Sequence, residues 1–260
     1  MNLRTGIILT LSTILTTSSV ASGQTILNVE RHQPTDLEGF HGAIQARGAL
    51  AEGNTEVADI EASGTLGYRP GRHWIRLLGG GRLLTEGGAE IVDERFGHLR
   101  HSYILSSRLR TFSFVQAQAS RNLLLTDRWL LGGGLRLRIF GDEDDDLAVG
   151  TGVMWEDERL DPDRLGPADE ARSRVVRAAN LAVYSRELRD GVRVLNVLYF
   201  QPELTTPGDF RLLNDLAVLV QLSGALELDI TAEWRHDSRP PSVLEKDDLS
   251  VNAGIGVSFR

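Results

Sequence analysis

The residues best suited to acid–base chemistry lie close together near the C-terminus. Glu233, His236 and Asp237 fall in one short stretch, and the acidic segment 161–169 could supply further carboxylates. A histidine gathered with carboxylates at the edge of a fold is an arrangement that could activate water for hydrolysis. Loops are also often acidic without catalysis. A protease or lipase at such a rim is therefore a hypothesis for function that we do not favour.

A second group of candidate catalytic residues lies near the middle of the chain. His101 and Ser102 are adjacent, so in a strand they point to opposite faces and cannot act together. His98 and Ser102 share a face with Arg100, but that face is expected to line an interior that a lipid substrate does not enter. The sequence contains no nucleophile elbow, phosphate loop or His-Glu-x-x-His motif. We therefore predict a non-enzymatic protein with no catalytic residues, no cofactor and no metal site.

The charged residues limit the partners of this chain. Asp and Glu outnumber Lys and Arg by 36 to 28, which argues against nucleic acid as a partner. Cysteine is absent, so disulfides, thiolate metal sites and a lipidated N-terminal cysteine are excluded. Lys246 is the only lysine. Arginine forms fixed, forked pairs with carboxylates, so its dominance indicates either a GC-rich genome or an interior lined with such pairs.

The first residues are typical of an export signal. A short positive start is followed by a diluted apolar stretch, Ile7 to Leu15, and by small residues around Ala21 and Gly23. We predict a signal peptide over 1–23, with the mature chain starting near Ser22 or Gln24; an uncleaved anchor is the alternative. We interpret residues 24–38 as a polar N-terminal segment that precedes the first strand, and we call it the lead-in. No later stretch is long enough for a membrane helix, so any span must be β.

The last eleven residues before Arg260 alternate without exception. The residues at odd positions from Leu249 to Phe259 are apolar, and those at even positions from Ser250 to Ser258 are small or polar. Successive side chains of a strand point to opposite faces, so this strand has one apolar and one polar face. The pattern fits a soluble sandwich with a packed core, or a transmembrane barrel with lipid on the apolar side.

Similar segments recur from Gly39 onward, and we count twelve strands. Most are about 10 to 14 residues long, which exceeds the usual soluble strand and suits a tilted membrane span. Connections after even-numbered strands are short, at Pro70, Thr111, Asp144, Gly191 and Gly224. Long loops follow odd-numbered strands, at Gly87 (within 85–95), Pro162 (within 157–171), Pro207 and Pro240. Sorted loops and an even strand number are typical of outer-membrane barrels, so we predict an all-β, antiparallel transmembrane barrel over 39–260.

The side chains fit this barrel in two further ways. Aromatic residues near strand ends are expected to form girdles at the membrane interfaces: Tyr68, Trp74, Trp129, Trp155, Trp234 and Phe259. Charges within strands mostly oppose the apolar face, and we expect them to form an interior network, either structural or channel-forming: Asp59, Glu61, Arg76, Arg82, Arg100, Arg136, Arg138, Asp215, Glu227, Asp229 and Glu233. The faces of the fifth, ninth and tenth strands stay ambiguous, because both parities carry apolar residues.

The first hairpin, from Gly42 to Thr55, carries a family resemblance. Its glycine-rich strand and Gly53-Asn54-Thr55 turn are similar to the start of the salt-induced outer membrane protein family, also called domain of unknown function 481. The glycine-rich segments 130–135 and 149–153 resemble that family's strands as well. The resemblance covers about 39–259 and implies an outer-membrane barrel with no established activity. One departure is that Arg260 follows Phe259, whereas such barrels usually end in an aromatic residue.

Three hypotheses for function follow. We favour a structural, stress-related or envelope-maintenance barrel in the outer membrane; a narrow pore for small solutes comes second, and the rim enzyme third. The expected partners are outer-membrane lipid, periplasmic chaperones and the barrel assembly machinery, with no nucleic acid. The sequence leaves the oligomeric state open.

Overall fold

The computed structural model describes residues 28, 30, 38–52, 56–141 and 145–259. The predicted signal peptide lies outside these residues. The described chain folds into strands joined by turns and loops. The strands are β1 (Gly39–Ala51), β2 (Val57–Arg69), β3 (His73–Glu86), β4 (Ala89–Ile104), β5 (Leu109–Ser120), β6 (Leu125–Gly141), β7 (Asp145–Leu160), β8 (Arg172–Ala178), β9 (Asn180–Arg189), β10 (Val192–Pro202), β11 (Phe210–Gln221), β12 (Leu226–Asp237) and β13 (Asp247–Phe259).

The strands close into an antiparallel barrel. Apart from β8 and β9, each strand pairs with its sequence neighbours, and β1 pairs with β13, where Ala46 lies opposite Ile255. β8 and β9 are two parts of one span interrupted at Ala179, and β7 pairs with both parts. The wall therefore has 12 spans, as predicted. The continuous eighth strand expected over 172–188 is corrected to these two segments.

The outer surface of the barrel is an apolar band. On β13, Leu249, Val251 and Ile255 are all more than half exposed, while the alternate positions face inward. The same alternation runs along β6, where the outward residues from Trp129 to Ile139 cover about ten residues, or roughly 25 Å of bilayer thickness at the usual rise and tilt. An exposed apolar surface of this size requires lipid, which decides between the sandwich and the barrel.

The connections differ from the prediction in their lengths. The loop expected over 85–95 is a two-residue turn, because Gly87 and Gly88 both adopt positive φ (57° and 79°) and let the hairpin close at once. The turn predicted at Thr111 lies at 105–108. β7 continues to Leu160 and β12 to Asp237, so the predicted loops after them start later.

The sorting of loops by end is confirmed for the C-terminal half only. The connections 161–171, 203–209 and 238–246 are long and lie at one end, which we call the long-loop end. The connections at the other end, the short-turn end, have at most about four described residues each. Short turns face the periplasm and longer loops the exterior in outer-membrane barrels, which orients this one.

The predicted aromatic girdles hold with one exception. Trp129, Trp155 and Trp234 face outward at the long-loop end, and Tyr68 stacks on Phe40 at the other, with ring centroids 4.3 Å apart. Trp74 is the exception: its side chain is only 1% exposed and faces the interior. The side chain of Phe259 lies outside the described residues.

Glycines bring β6 and β7 unusually close together. A Cβ added at Gly134 would overlap the backbone of β7 at Thr151, and one added at Gly152 would overlap the backbone of Gly133. These residues therefore act through their lack of a side chain, as expected for glycines that bend a barrel wall.

Among the described residues, no helix is long and apolar enough to cross a bilayer.

Candidate functional site: the barrel lumen

The predicted interior charge network is present. Arg82 donates from Nε and Nη2 to the two carboxylate oxygens of Asp59, at 2.9 and 2.8 Å. Arg47 bridges Glu61 on the neighbouring strand and Asp229 on β12, at 3.0 and 3.3 Å. These contacts join β1, β2, β3 and β12 across the inner surface. Forked arginine–carboxylate pairs are thus a main feature of the wall.

A second group of charges forms an ion-pair belt just below the long loops. The belt consists of Arg128, Glu156, Glu158, Arg177, Arg211 and Asp237, all buried. Arg211 on β11 binds Glu156 on β7 at 2.7 Å and Asp237 on β12 at 3.1 Å. Arg128 on β6 binds Glu158 at 2.9 Å, and Arg177 on β8 lies 3.5 Å from Glu156. The belt runs from β6 to β12, about half of the ring.

A third group, which we call the arginine wall, lies near the short-turn end. It consists of Arg76, Arg100, Arg110 and Arg136 on the inner face of β3 to β6. In the register, Arg76 lies opposite Arg100, and Arg110 opposite Arg136. The Arg76 guanidinium lies 4.1 Å from the Trp74 ring centroid, a cation–π distance. Four cations are therefore gathered on adjacent strands.

The lead-in supplies a carboxylate to this wall. Glu30 has a fully buried side chain that pairs with Arg100 at 3.2 Å and Arg136 at 3.4 Å. Its Oε2 atom also lies 3.9 Å from Arg110. Like charges on adjacent strands repel one another, so a carboxylate between them offsets that repulsion. The arginine wall therefore surrounds a carboxylate of the chain itself.

Across the lumen lies a different surface, the apolar wall. Its members face inward on β9, β10 and β11 and pack together: Leu181, Val183, Leu195, Val197, Tyr199, Leu213, Ala217 and Leu219. Asp215 on β11 interrupts this wall, and Asn28 donates from Nδ2 to its Oδ2 atom at 2.9 Å. Asn28 and Glu30 thus contact opposite sides of the barrel.

The predicted rim residues do not converge. His236 and Asp237 are consecutive in β12, so they point to opposite faces. Asp237 faces inward to Arg211, whereas His236 lies on the outer face with Nδ1 2.9 Å from Asp247. Glu233 faces inward and pairs with Arg235. In the described part of the chain no three His, Asp or Glu side chains are grouped to hold a metal ion.

The central candidates are placed as the alternation predicts. His98 and Ser102 are buried and face inward, and the His98 ring contacts Gln116 at 2.9 Å. His101 faces outward, where its ring lies 3.0 Å from that of His73. Neither histidine contacts the hydroxyl of Ser102 in the described structure.

Two long loops are joined at the external mouth. The carboxylate of Asp169 accepts hydrogen bonds from the backbone N and the hydroxyl of Ser242, at 3.0 and 2.9 Å. It also accepts one from the backbone N of Gly166 at 3.0 Å. The backbone hydrogen bond from Ser242, followed by that from its hydroxyl, holds the pKa of Asp169 below its usual range. This latch connects loop 161–171 to loop 238–246.

Several functional residues were missed in the sequence. Glu30 lies in a polar segment without periodicity, so nothing marked it as an interior residue. Glu156 and Glu158 share the parity of the buried residue Met154. The alternation along this strand could therefore have predicted that both side chains face inward. Arg211 likewise has inward parity, on a strand whose faces were ambiguous. Arg177 has the same parity as the buried apolar residues Ala179 and Leu181, so the apolar pattern of this span did not mark it as an inward charge.

The closed antiparallel wall, its apolar outer band and its charged interior define an outer-membrane β-barrel. Known structures agree in fold: the NanC porin matches with a TM-score of 0.50 and 11% identity over 85% of this chain and 99% of that chain. The KdgM porin has a TM-score of 0.49 and 7% identity over 85% and 99% of the two chains. The translocator domain of the autotransporter NalP from Neisseria meningitidis has a TM-score of 0.48 and 11% identity over 87% and 90%. At 11% identity the NanC match shows the fold alone.

The chain belongs to the family described as protein of unknown function, DUF481, whose profile matches residues 44–259. The family resemblance drawn from the first hairpin is thereby confirmed. Its association with salt induction stays a prediction. No curated protein sequence matches the chain.

Proposed function

We propose that this barrel is a narrow outer-membrane pore for small anionic solutes that carry a carboxylate. The proposal is based on the ion pairs of Glu30, whose carboxylate lies between Arg100 and Arg136 with Arg110 nearby. A carboxylate on a passing solute has the same charge and shape as this side chain. The wall that holds Glu30 is therefore chemically suited to hold such a solute.

Arginine rather than lysine suits this task. Its guanidinium stays charged and offers donors in a rigid fork that matches a carboxylate. Around a buried carboxylate the dielectric constant is lower than in water, so each attraction is stronger. Four arginines on one side of the lumen also give a field that attracts anions and repels cations.

The apolar wall indicates which carboxylate-bearing solutes the proposed pore would favour. It lies across the lumen from the arginine wall, because β9 to β11 lie largely opposite β3 to β6 in the closed ring. A solute held by its carboxylate on one side meets aliphatic side chains on the other. An anion with an apolar body fits both walls better than a wholly polar one.

The pore is proposed to be closed at rest. Asn28 and Glu30 contact opposite walls of the lumen, and a 12-stranded barrel leaves limited lumen once side chains fill it. The chain's own carboxylate then competes with the solute for the same arginines. Opening requires that this segment leaves the wall.

A structural barrel without conduction is the second candidate. The ion-pair belt favours it, since its buried members pack much of the interior below the long loops. Both candidates are non-enzymatic. Conductance in planar bilayers separates them.

The test measures current and reversal potential across a salt gradient. The purified barrel should conduct weakly and prefer anions, and carboxylates such as benzoate should block the chloride current. Replacing Arg100 and Arg136 by glutamine should abolish both the anion preference and the block. Arg82→Gln is the matched control, because Arg82 also faces inward but is paired with Asp59, and it should leave the block intact. A preference for cations, or the absence of current from every variant, would contradict the proposal of an anion-selective pore.

A further inference from the structure

The lipid-facing side of β6, β7 and β8 carries a cluster of charges at the long-loop end. In the register, Arg159 lies between Asp127 and Arg172, and Asp157 lies between Trp129 and Arg174. We call this cluster the outer arginine patch: Arg159, Arg172 and Arg174 with Asp127 and Asp157. It lies outside the lumen, so it is independent of the proposed pore.

The patch lies at the level of lipid headgroups. Trp129 and Trp155 face outward immediately beside and below it, with 50% and 41% exposure, and the next positions toward the barrel centre are aliphatic. Tryptophan is enriched at the boundary between acyl chains and headgroups. The charges one row farther out therefore reach the headgroup layer, and the long-loop end assigns them to the outer leaflet.

The patch has more cationic groups than its own carboxylates can neutralise. Arg172 donates from Nε and Nη2 to Asp157, at 3.1 and 2.7 Å, whereas Arg174 donates to the same carboxylate from Nε alone, at 2.9 Å. Arg159 makes a looser contact, 3.6 Å, to Asp127. The three arginine side chains are 43–58% exposed. Three guanidinium groups thus face two carboxylates, and several donors make no contact with them.

We infer that the outer arginine patch binds a phosphate group of a phosphorylated glycolipid in the outer leaflet. Guanidinium groups bind phosphate through paired hydrogen bonds, and Arg159 and Arg174 flank Arg172 on two adjacent strands. The tryptophans and the aliphatic row below contact the acyl chains of the same lipid. Asp157 holds Arg172 and Arg174 in place for the phosphate. A set of rim ion pairs without a ligand is the alternative.

The experiment compares three probes on the folded barrel in detergent micelles. These are bisphosphorylated lipid A, the same lipid without phosphates, and inorganic phosphate, with binding measured by native mass spectrometry and by calorimetry. The wild-type protein should bind the phosphorylated lipid at least tenfold more tightly than either other probe. The double replacement of Arg159 and Arg174 by glutamine should remove that preference.

Arg95→Gln is the matched control, because Arg95 is a 73% exposed arginine on β4, away from the patch, with one weak contact to Asp93. It should leave the preference unchanged. Heat-modifiable gel migration shows that each variant is folded. Equal affinity for both lipids, or an equal loss in the Arg95 variant, would overturn the inference. Equal affinity for inorganic phosphate would assign the patch to a free anion and overturn the lipid assignment.

Discussion

Replacing Glu30 by glutamine removes one negative charge from the centre of the arginine wall. The side chain keeps its size, so the change tests charge rather than packing. In the native protein this carboxylate is fully buried between Arg100 and Arg136, with Arg110 at the edge of contact distance. We expect the variant to release the lead-in from the wall and to raise the conductance of the barrel.

The size of the effect follows from the contacts. At an effective dielectric constant of about 20, a pair of unit charges separated by 3–4 Å attracts by about 4–5 kcal/mol, and desolvation of the buried groups cancels much of that attraction. Removing one partner from a buried ion pair typically costs about 3–5 kcal/mol. If that free energy holds Glu30 in place, the ratio of closed to open barrels falls by a factor of roughly 10²–10⁴.

The assay is single-channel recording in planar bilayers. Glu38→Gln is the matched control: it makes the same chemical change near the end of the same lead-in, at an exposed residue. The Glu30 variant should show a higher open probability and a stronger anion preference, while the Glu38 variant should match the wild type. If wild-type barrels conduct and both variants match them, Glu30 does not close the pore, and the reasoning from its ion pairs is wrong.

Three further predictions concern the wall and the loops. Ile255→Trp should change the free energy of unfolding in vesicles by less than about 1 kcal/mol, because lipid accepts the larger side chain, whereas Ile255→Arg should cost up to about 2–4 kcal/mol; a loss of about 1–3 kcal/mol for tryptophan would indicate a packed core instead. Gly134→Ala should push β6 away from β7 and destabilise the barrel, while Gly97→Ala, where a Cβ meets nothing within 4 Å, should not; equal urea midpoints would contradict the close approach. Because hydrogen bonds from Ser242 lower the pKa of Asp169, the loop latch should be intact at neutral pH and be lost only as pH falls through that lowered pKa; limited proteolysis of loop 161–171 checks this, and Asp169→Asn should expose the loop already at neutral pH.

The barrel itself was predictable because lipid imposes a simple rule. An outward charge near the membrane centre is costly, so apolar and polar residues must alternate along each span. The strict alternation from Leu249 to Phe259 shows this rule, and the exposure of the residues there agrees with it, with Ile255 outward and Gly256 inward. The faces of Arg76 and Arg100 followed from the same parity.

Turn positions and strand ends were less predictable. Charged residues such as Asp157 and Glu158 suggested a loop, yet β7 continues through both, because a strand can extend past the membrane and place charges on either face. Likewise the acidic residues around Gly87 suggested a long loop. Two glycines with positive φ permit a tight turn regardless of the flanking charges.

The strands whose faces were ambiguous reveal why the lumen could not be deduced in full. β10 and β11 are apolar on both sides: Leu198 and Leu216 face lipid, while Val197 and Leu213 are completely buried in the apolar wall. A period of two disappears when both environments are apolar, so sequence patterns show where the interior is polar but not where it is dry. Only the closed ring shows that the apolar wall faces the arginine wall. Glu30 lies outside the strands, and only its ion pairs show that it lies between the arginines. The carboxylate site therefore depends on a segment with no strand pattern at all, which is why its chemistry is visible in the structure and not in the sequence.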